Sequence, residues 1–362
     1  MSHKPSVFLG AAMILTTGLI LGFVGGAFLQ SWLVAILTCG LVPLGAIALL
    51  MVHQLTGGEW GHTSRPILRA LAATLPLFLL GMLPLALNLD ALFSWAAPVE
   101  TLPEVVHRKT LYLNEPFLLA RWLLYAVLWL VMAWGAGVWR TRSVRGREWP
   151  PAIGLILWLL SLTFFGFDWF MSLEPRFYSD VYGLMLCMLA LGAAFSLVFL
   201  LEPAWQGKPL SAGGRRDLAN LLLSVQLGWG LMAFSQFIII WSGNLPHEIE
   251  WYLHRREMPW HIVSMMSFGL LFVIPVLTLM SGAAKGHTRW LRAAAASAFV
   301  GYLLQMIWLV APAFGTHGPV LWLTPLLIIA MGIIWGYVVM AGRQDGHNAA
   351  NLSDLEGRHG HV

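Results

Sequence analysis

Ten apolar runs, each about twenty residues long, follow one another between residues 7 and 341, and they limit what the chain can become. As a helix rising ~1.5 Å per residue, such a run spans the ~30 Å hydrocarbon core of a bilayer. In lipid every backbone N–H and C=O needs an internal partner, so only helices and closed barrels can cross. Barrel strands would alternate polar and apolar residues over about ten positions. These runs do not alternate. With 58% hydrophobic and 10% charged residues, the chain cannot cover a water-facing surface with polar groups. Soluble domains carry about 25% charged residues. The expected fold class is all-α and integral to the membrane, with about ten transmembrane helices.

The spans fall at about 7–28, 31–54, 67–89, 117–139, 151–172, 181–201, 218–241, 259–281, 290–311 and 319–341. Residues 1–341 read as one polytopic domain, and 342–362 as a polar tail. Pro43, Pro84 and Pro275 lie inside spans and are expected to mark kinks. Fifteen of the 21 Lys and Arg residues fall on one set of connections and five on the other, with Arg121 inside a span. The positive-inside rule places the cation-rich set, and both termini, in the cytoplasm. Tryptophans at the span ends, among them Trp32, Trp60, Trp95, Trp251, Trp260, Trp290 and Trp322, are expected to form an interfacial belt. The net charge of +4 is then a topology signal, not a nucleic-acid footprint. The first apolar run reads as a retained span, not a cleaved signal. Cys39 and Cys187 sit within apolar runs and read as buried thiols. Two longer outer connections, 90–116 and 242–258, are expected to fold over the outer mouth or dock on a partner.

An ionisable side chain inside a span is costly and therefore a functional candidate. Asp168 lies near the outer end of span five and Arg121 near the outer start of span four. Both sit roughly 6 Å below the outer surface by the helical rise, which suggests a pair. It is either a structural ion pair or part of a proton or quinol-headgroup site. Ser161, Asp168 and Ser172 share one face of span five. Asn220, Ser224 and Ser235, with Gln236 beside them, repeat the pattern in span seven. Such stripes bond helices together or line a proton half-path. His53 and His261 lie at opposite surfaces and cannot make the depth-matched pair that haem b needs. No His or Cys cluster has metal-ligand spacing, so no bound metal, haem or iron–sulfur cluster is expected. Gly18, Gly22 and Gly26 form a small-residue ridge suited to close helix docking, within the chain or on a partner.

Two outer-edge segments carry a likeness to a known family. One is Phe167-Asp168-Trp169-Phe170-Met171-Ser172-Leu173-Glu174-Pro175-Arg176-Phe177-Tyr178-Ser179-Asp180-Val181-Tyr182-Gly183. The other runs from Phe234-Ser235-Gln236-Phe237 through Trp241-Ser242-Gly243-Asn244-Leu245-Pro246-His247-Glu248-Ile249-Glu250-Trp251-Tyr252-Leu253. Together they resemble the ActF-type membrane subunit of alternative complex III, within the wider NrfD/PsrC-like family. The resemblance implies two four-helix bundles, about 31–172 and 181–311, plus peripheral helices at about 7–28 and 319–341. It implies assembly with a related quinol-binding membrane subunit, an iron–sulfur subunit, multihaem cytochrome c subunits and a terminal oxidase. The complex would oxidise menaquinol or ubiquinol, this chain serving as scaffold and proton-path element with no redox centre of its own. Arg176 and Asp180 stand where the family pattern has His and Thr, which alters the charge of the outer turn. Glu174, Glu248 and Glu250 complete an acidic outer rim with Asp180. Two other readings stand beside this one. A quinone-binding catalytic subunit would use Asp168 with His261 as acid and base. A secondary transporter would show broken helices around a midplane site.

Overall fold

A computed structural model of the chain describes residues 26–98, 102, 104–139, 150–205, 211–315 and 320–359. Gly18, Gly22 and most of the first expected span lie outside them, and Gly26 opens the first described helix. The helices are α1 (Gly26–Thr56), α2 (Glu59–Ala72), α3 (Leu75–Ala86), α4 (Glu104–His107), α5 (Glu115–Gly135), α6 (Pro151–Trp169) and α7 (Tyr182–Leu201). They continue as α8 (Ala212–Gly243), α9 (Pro246–Arg256), α10 (Trp260–Phe268), α11 (Ile274–Met280), α12 (Gly282–Lys285), α13 (Thr288–Val310) and α14 (Val320–His359). Among the described residues there is no strand, and nine helical segments are long and apolar enough to cross a membrane. They coincide with expected spans two to ten.

The central element is α1. It is apolar around its whole circumference, as a fully buried helix must be, and Leu33, Val34, Ala35, Ile36 and Leu37 have no exposed surface. It packs against α2, α3, α6, α7, α13 and α14. Two neighbours bond directly to its main chain. Trp158 Nε1 donates to the Leu44 carbonyl at 2.9 Å, and the Tyr302 hydroxyl donates to the Thr38 carbonyl at 2.5 Å. At Gly45 a Cβ would stand 2.0 Å from the Ala190 carbonyl oxygen, so α7 can approach only because that side chain is absent. One group of packed helices is α1, α2–α3, α5 and α6. A second is α7, α8, α10–α11 and α13, and the two meet chiefly along α1 and α7. α14 lies against α1 and α2.

Two of the nine described spans are interrupted. Span three starts at Glu59, not near residue 67, because α2 is amphipathic. It buries Trp60, Ser64, Ile67, Leu68 and Leu71 while its other face is polar, so hydropathy alone misses its first turns. It breaks at Ala73–Thr74, ahead of Pro76, where the Thr74 hydroxyl donates to the Leu71 carbonyl at 2.6 Å. Span eight passes from α10 through a π-helical turn, Gly269–Val273, into α11. Pro275 has no N–H to give, and the Ser297 hydroxyl donates to the Leu270 carbonyl at 2.8 Å. Pro43 and Pro84 sit inside uninterrupted helices. The polar tail is helical too, since α14 continues to His359.

The tryptophan belt is only partial. Trp32, Trp60, Trp95, Trp251 and Trp260 are buried in the protein, whereas Trp139, Trp241, Trp290 and Trp322 are exposed.

Candidate functional site

The segments before α5, after α6, around α9 and after α13 gather on one face, here called the capped face. Asn114 starts α5 there. Its side-chain oxygen accepts from the Phe117 amide at 3.0 Å, an N-cap that fixes the helix register. Arg121 and Tyr125 follow one turn apart on the same side. Asp168 faces them from the last turn of α6.

Asp168 is completely buried and Arg121 is 7% exposed. The guanidinium meets the carboxylate as a fork, with Nε to Oδ2 at 2.9 Å and Nη2 to Oδ1 at 2.8 Å. The Tyr125 hydroxyl donates a third bond to Oδ2 at 2.8 Å. Arg121 Nη1 donates to the Tyr112 carbonyl at 3.1 Å. The guanidinium also lies 3.9 Å from the Tyr112 ring centroid and 4.2 Å from that of Phe117. The pair expected from depth is therefore present, and it is closed. Its charges cancel and the surrounding wall is aromatic: Tyr125, Trp129, Phe165 and Trp169 pack ring to ring. The flanking hydroxyls are used locally. Ser161 accepts from Trp129 Nε1 at 2.9 Å and donates to the Trp158 carbonyl at 3.1 Å, and Ser172 donates to the Asp168 carbonyl.

A second cluster lies between the turn after α6 and helix α9. Arg255 is 2% exposed. Its Nη2 meets Glu174 Oε2 at 2.6 Å. Nη1 donates to the Trp251 carbonyl at 2.9 Å, Nη2 to the Leu309 carbonyl at 3.0 Å and Nε to the Trp308 carbonyl at 3.3 Å. One side chain thus ties α9 to the end of α13 and to the α6–α7 turn. His254 Nδ1 stands 3.2 Å from Glu174, and Arg176 reaches Glu250 at 3.5 Å. Phe177 stacks on Trp251 with centroids 4.6 Å apart. Beside them is a cleft of about 210 Å³, lined in part by Ser94, Glu174, Arg176, Glu250 and His254. A smaller hollow of about 60 Å³ is bordered by Tyr178, Asp180, Gln236 and Glu248. Gln236 accepts from the Ser179 hydroxyl at 2.9 Å and donates to the Tyr252 hydroxyl at 3.4 Å. Lys109 Nζ ties the 104–114 segment to the Pro175 carbonyl at 2.6 Å.

Among the described residues, four groups outside the spans show resolved shifts. The Tyr178 phenol is raised above its ordinary value by its hydrogen bond to Glu248 and that carboxylate's charge. Burial raises Tyr252, and burial with the nearby Asp168 charge raises Tyr112. Burial lowers Lys109.

The structure joins some expected site residues and separates others. Of the acidic rim, Glu174 and Glu248 are engaged rather than solvated, while Asp180 is exposed. His261 is exposed on α10 and is not among the partners of Asp168. The span-seven stripe divides: Asn220 and Ser224 are exposed, Ser235 is half-buried and Gln236 is buried. The buried mid-helix amide on α8 is Gln226, which the stripe did not include. Tyr125, Arg255 and the Ser267–Gln305 bond of 2.6 Å were also missed. The spacing of Tyr125, four residues after Arg121, was a usable signal. Arg255 gave none, because two of its three carbonyl partners lie some fifty residues onward. His53 is buried near Gly58, with Nε2 3.2 Å from that carbonyl. Both cysteines are buried and free. Among the described residues no group of three or more His, Cys, Asp or Glu is placed to hold a metal ion.

Fold and composition together define the class: an all-α, multi-pass membrane protein. Compared with known proteins, the chain matches no family model and no curated sequence.

Proposed function

We propose that this chain is an integral membrane subunit of a quinol-oxidising respiratory complex of the alternative complex III type. In this reading it sits in a bacterial inner membrane with both termini in the cytoplasm, so the capped face points outward. Its work is to hold a related quinol-binding membrane subunit, an iron–sulfur subunit and multihaem cytochromes, with a terminal oxidase downstream. Electrons would pass through those partners.

One observation carries the reading. The two segments that bear the family likeness, 167–183 and 234–253, are distant in sequence yet fold against each other. Arg176 with Glu250, Phe177 with Trp251 and Ser179 with Gln236 make them one cap, and Arg255, two residues past the second segment, adds its bond to Glu174. Over the buried Phe177–Trp251 stack the cap exposes Arg176, Glu250 and His254, a charged surface suited to docking a water-soluble partner. The closed Arg121–Asp168–Tyr125 node reads as the anchor beneath it. That closure speaks against quinol oxidation at Asp168, because an aromatic wall fills the space a headgroup would need and His261 lies elsewhere. The interruptions do not favour transport, since Ala72, Thr74 and Leu75 at the break in span three are fully buried and the π turn of span eight keeps its helical backbone packed against α13. The test is purification of the tagged chain from native membranes in mild detergent. Haem- and cluster-bearing subunits should accompany it, and the Arg176→Glu/Glu250→Lys exchange, which disturbs only the cap surface, should reduce their recovery. Full recovery with the exchange would remove the cap from the docking surface.

A further inference from the structure

At the end of the molecule opposite the cap, α8 presents Arg216, Asn220, Ser224, Leu227 and Leu231 on one exposed face. Steps of four, four, three and four residues keep them in line along a helix. Ser224 is satisfied within the helix, its hydroxyl donating to the Asn220 carbonyl at 2.9 Å, but a charged or amide side chain on an outward face is out of place against hydrocarbon. The neighbouring element supplies a second cation. Lys285, on the short α12, donates Nζ to Asn220 Oδ1 at 2.6 Å. That bond uses one of three ammonium donors and fixes the charge beside the Arg216 row. Asp217 is exposed as well, but one residue on means about 100° around the helix. Deeper in the membrane the surroundings become apolar. Leu227 and Leu231 of α8 are 45% and 59% exposed, and Leu277 and Met280 of the adjoining α11 are both 66% exposed. Exposed Trp290, with the Arg289 guanidinium 5.4 Å from its ring centroid, lies at the start of α13 just after α12.

We propose that this edge of α8, α11 and α12 binds an anionic phospholipid. The phosphate is held by Arg216 and Lys285, with the Asn220 amide beside it, and the acyl chains lie along Leu227, Leu231, Leu277 and Met280. Charge complementarity selects the occupant: two cations meet one phosphate at the level where polar side chains give way to apolar ones. A zwitterionic lipid carries its own ammonium and gains less from the same pair. The inference does not depend on the proposed respiratory role or on which side faces the cytoplasm.

The test uses the full chain, or its native complex, in nanodiscs holding equal amounts of phosphatidylglycerol and phosphatidylcholine with matched chains. Lipid retained after release is read by native mass spectrometry. Wild type is expected to keep phosphatidylglycerol in preference to phosphatidylcholine. Each cation removed should weaken retention about fivefold, the scale for a basic side chain at an anionic bilayer surface. Arg216→Gln tests this alone, and Arg216→Gln/Lys285→Gln tests the product. Arg108→Gln, an exposed cation at the capped face, removes equal charge and should change nothing. Equal retention of the two lipids by wild type would overturn the proposal, as would unchanged phosphatidylglycerol in the double variant. So would displacement by inorganic phosphate at matched concentration, which would make the site one for a free anion. Loss of a copurifying protein without loss of lipid would assign the face to a partner helix instead.

Discussion

Replacing Asp168 with Asn should destabilise the protein far more than a near-isosteric change suggests. The carboxylate accepts three hydrogen bonds, two from Arg121 and one from Tyr125, with no exposed surface. An amide offers one acceptor oxygen and turns an N–H₂ donor toward a guanidinium that is itself all donors. Arg121 is left charged, buried and without a counter-ion. Breaking a buried pair on one side costs about 3–5 kcal/mol. Removing both charges together, as in Arg121→Met/Asp168→Leu, should cost less than either single loss, because no orphan charge remains. Tyr125→Phe, which removes one bond to a charged group, should cost about 1.5–3 kcal/mol. The assay is reversible unfolding in mixed micelles, read by tryptophan fluorescence, as a double-mutant cycle. A loss below about 1 kcal/mol for Asp168→Asn, or a double variant less stable than both singles, would refute the account of this node as a closed pair.

Further expectations follow from other contacts. Arg255→Lys should fail nearly as fully as Arg255→Met, because an ammonium cannot span Glu174 and three carbonyls at once; limited proteolysis of the 244–259 segment would report the freed cap, and wild-type resistance in the lysine variant would contradict this. Gly301→Ala places a Cβ 2.2 Å from the Leu271 amide nitrogen and should cost about 1–3 kcal/mol or more. Gly269→Ala in the same π turn meets nothing within 4 Å, so equal losses at the two glycines in thermal melts would rule out the close approach. The Tyr178 phenol, raised by Glu248, should ionise above its ordinary value of 10.0. Its bond therefore supports the fold below pH ~10 and is lost as pH rises through the higher folded value. A Tyr178→Phe difference titration in the near ultraviolet should show this, and Glu248→Gln should move the transition back down; no movement would sever the link.

Much of this was legible because lipid imposes a blunt rule. Runs long enough to cross had to be helices, and the nine described spans follow them closely. The Arg121–Asp168 pair was legible from depth alone, since consecutive antiparallel helices place residues at equal distance from one surface side by side. Burial angle was less legible. Asn220, Ser224 and Gln236 share a helix, but its exposed face depends on packing with α7 and α11, so Gln226 was passed over. The amphipathic start of α2 hid from hydropathy because its polar face averages away Trp60 and Leu68. The role of Arg255 could not be read, because it depends on where the end of α13 comes to rest.

Membership in a quinol-oxidising assembly is tested most directly by quinol-driven haem reduction. The tagged chain would be isolated from native membranes under conditions that keep partners bound, then mixed with reduced menaquinol or ubiquinol under anaerobic conditions. The preparation should contain c-type haem that becomes reduced on addition of quinol. A chain isolated without haem, or haem that stays oxidised with quinol while chemical reductant still reduces it, would exclude this chain from such an assembly.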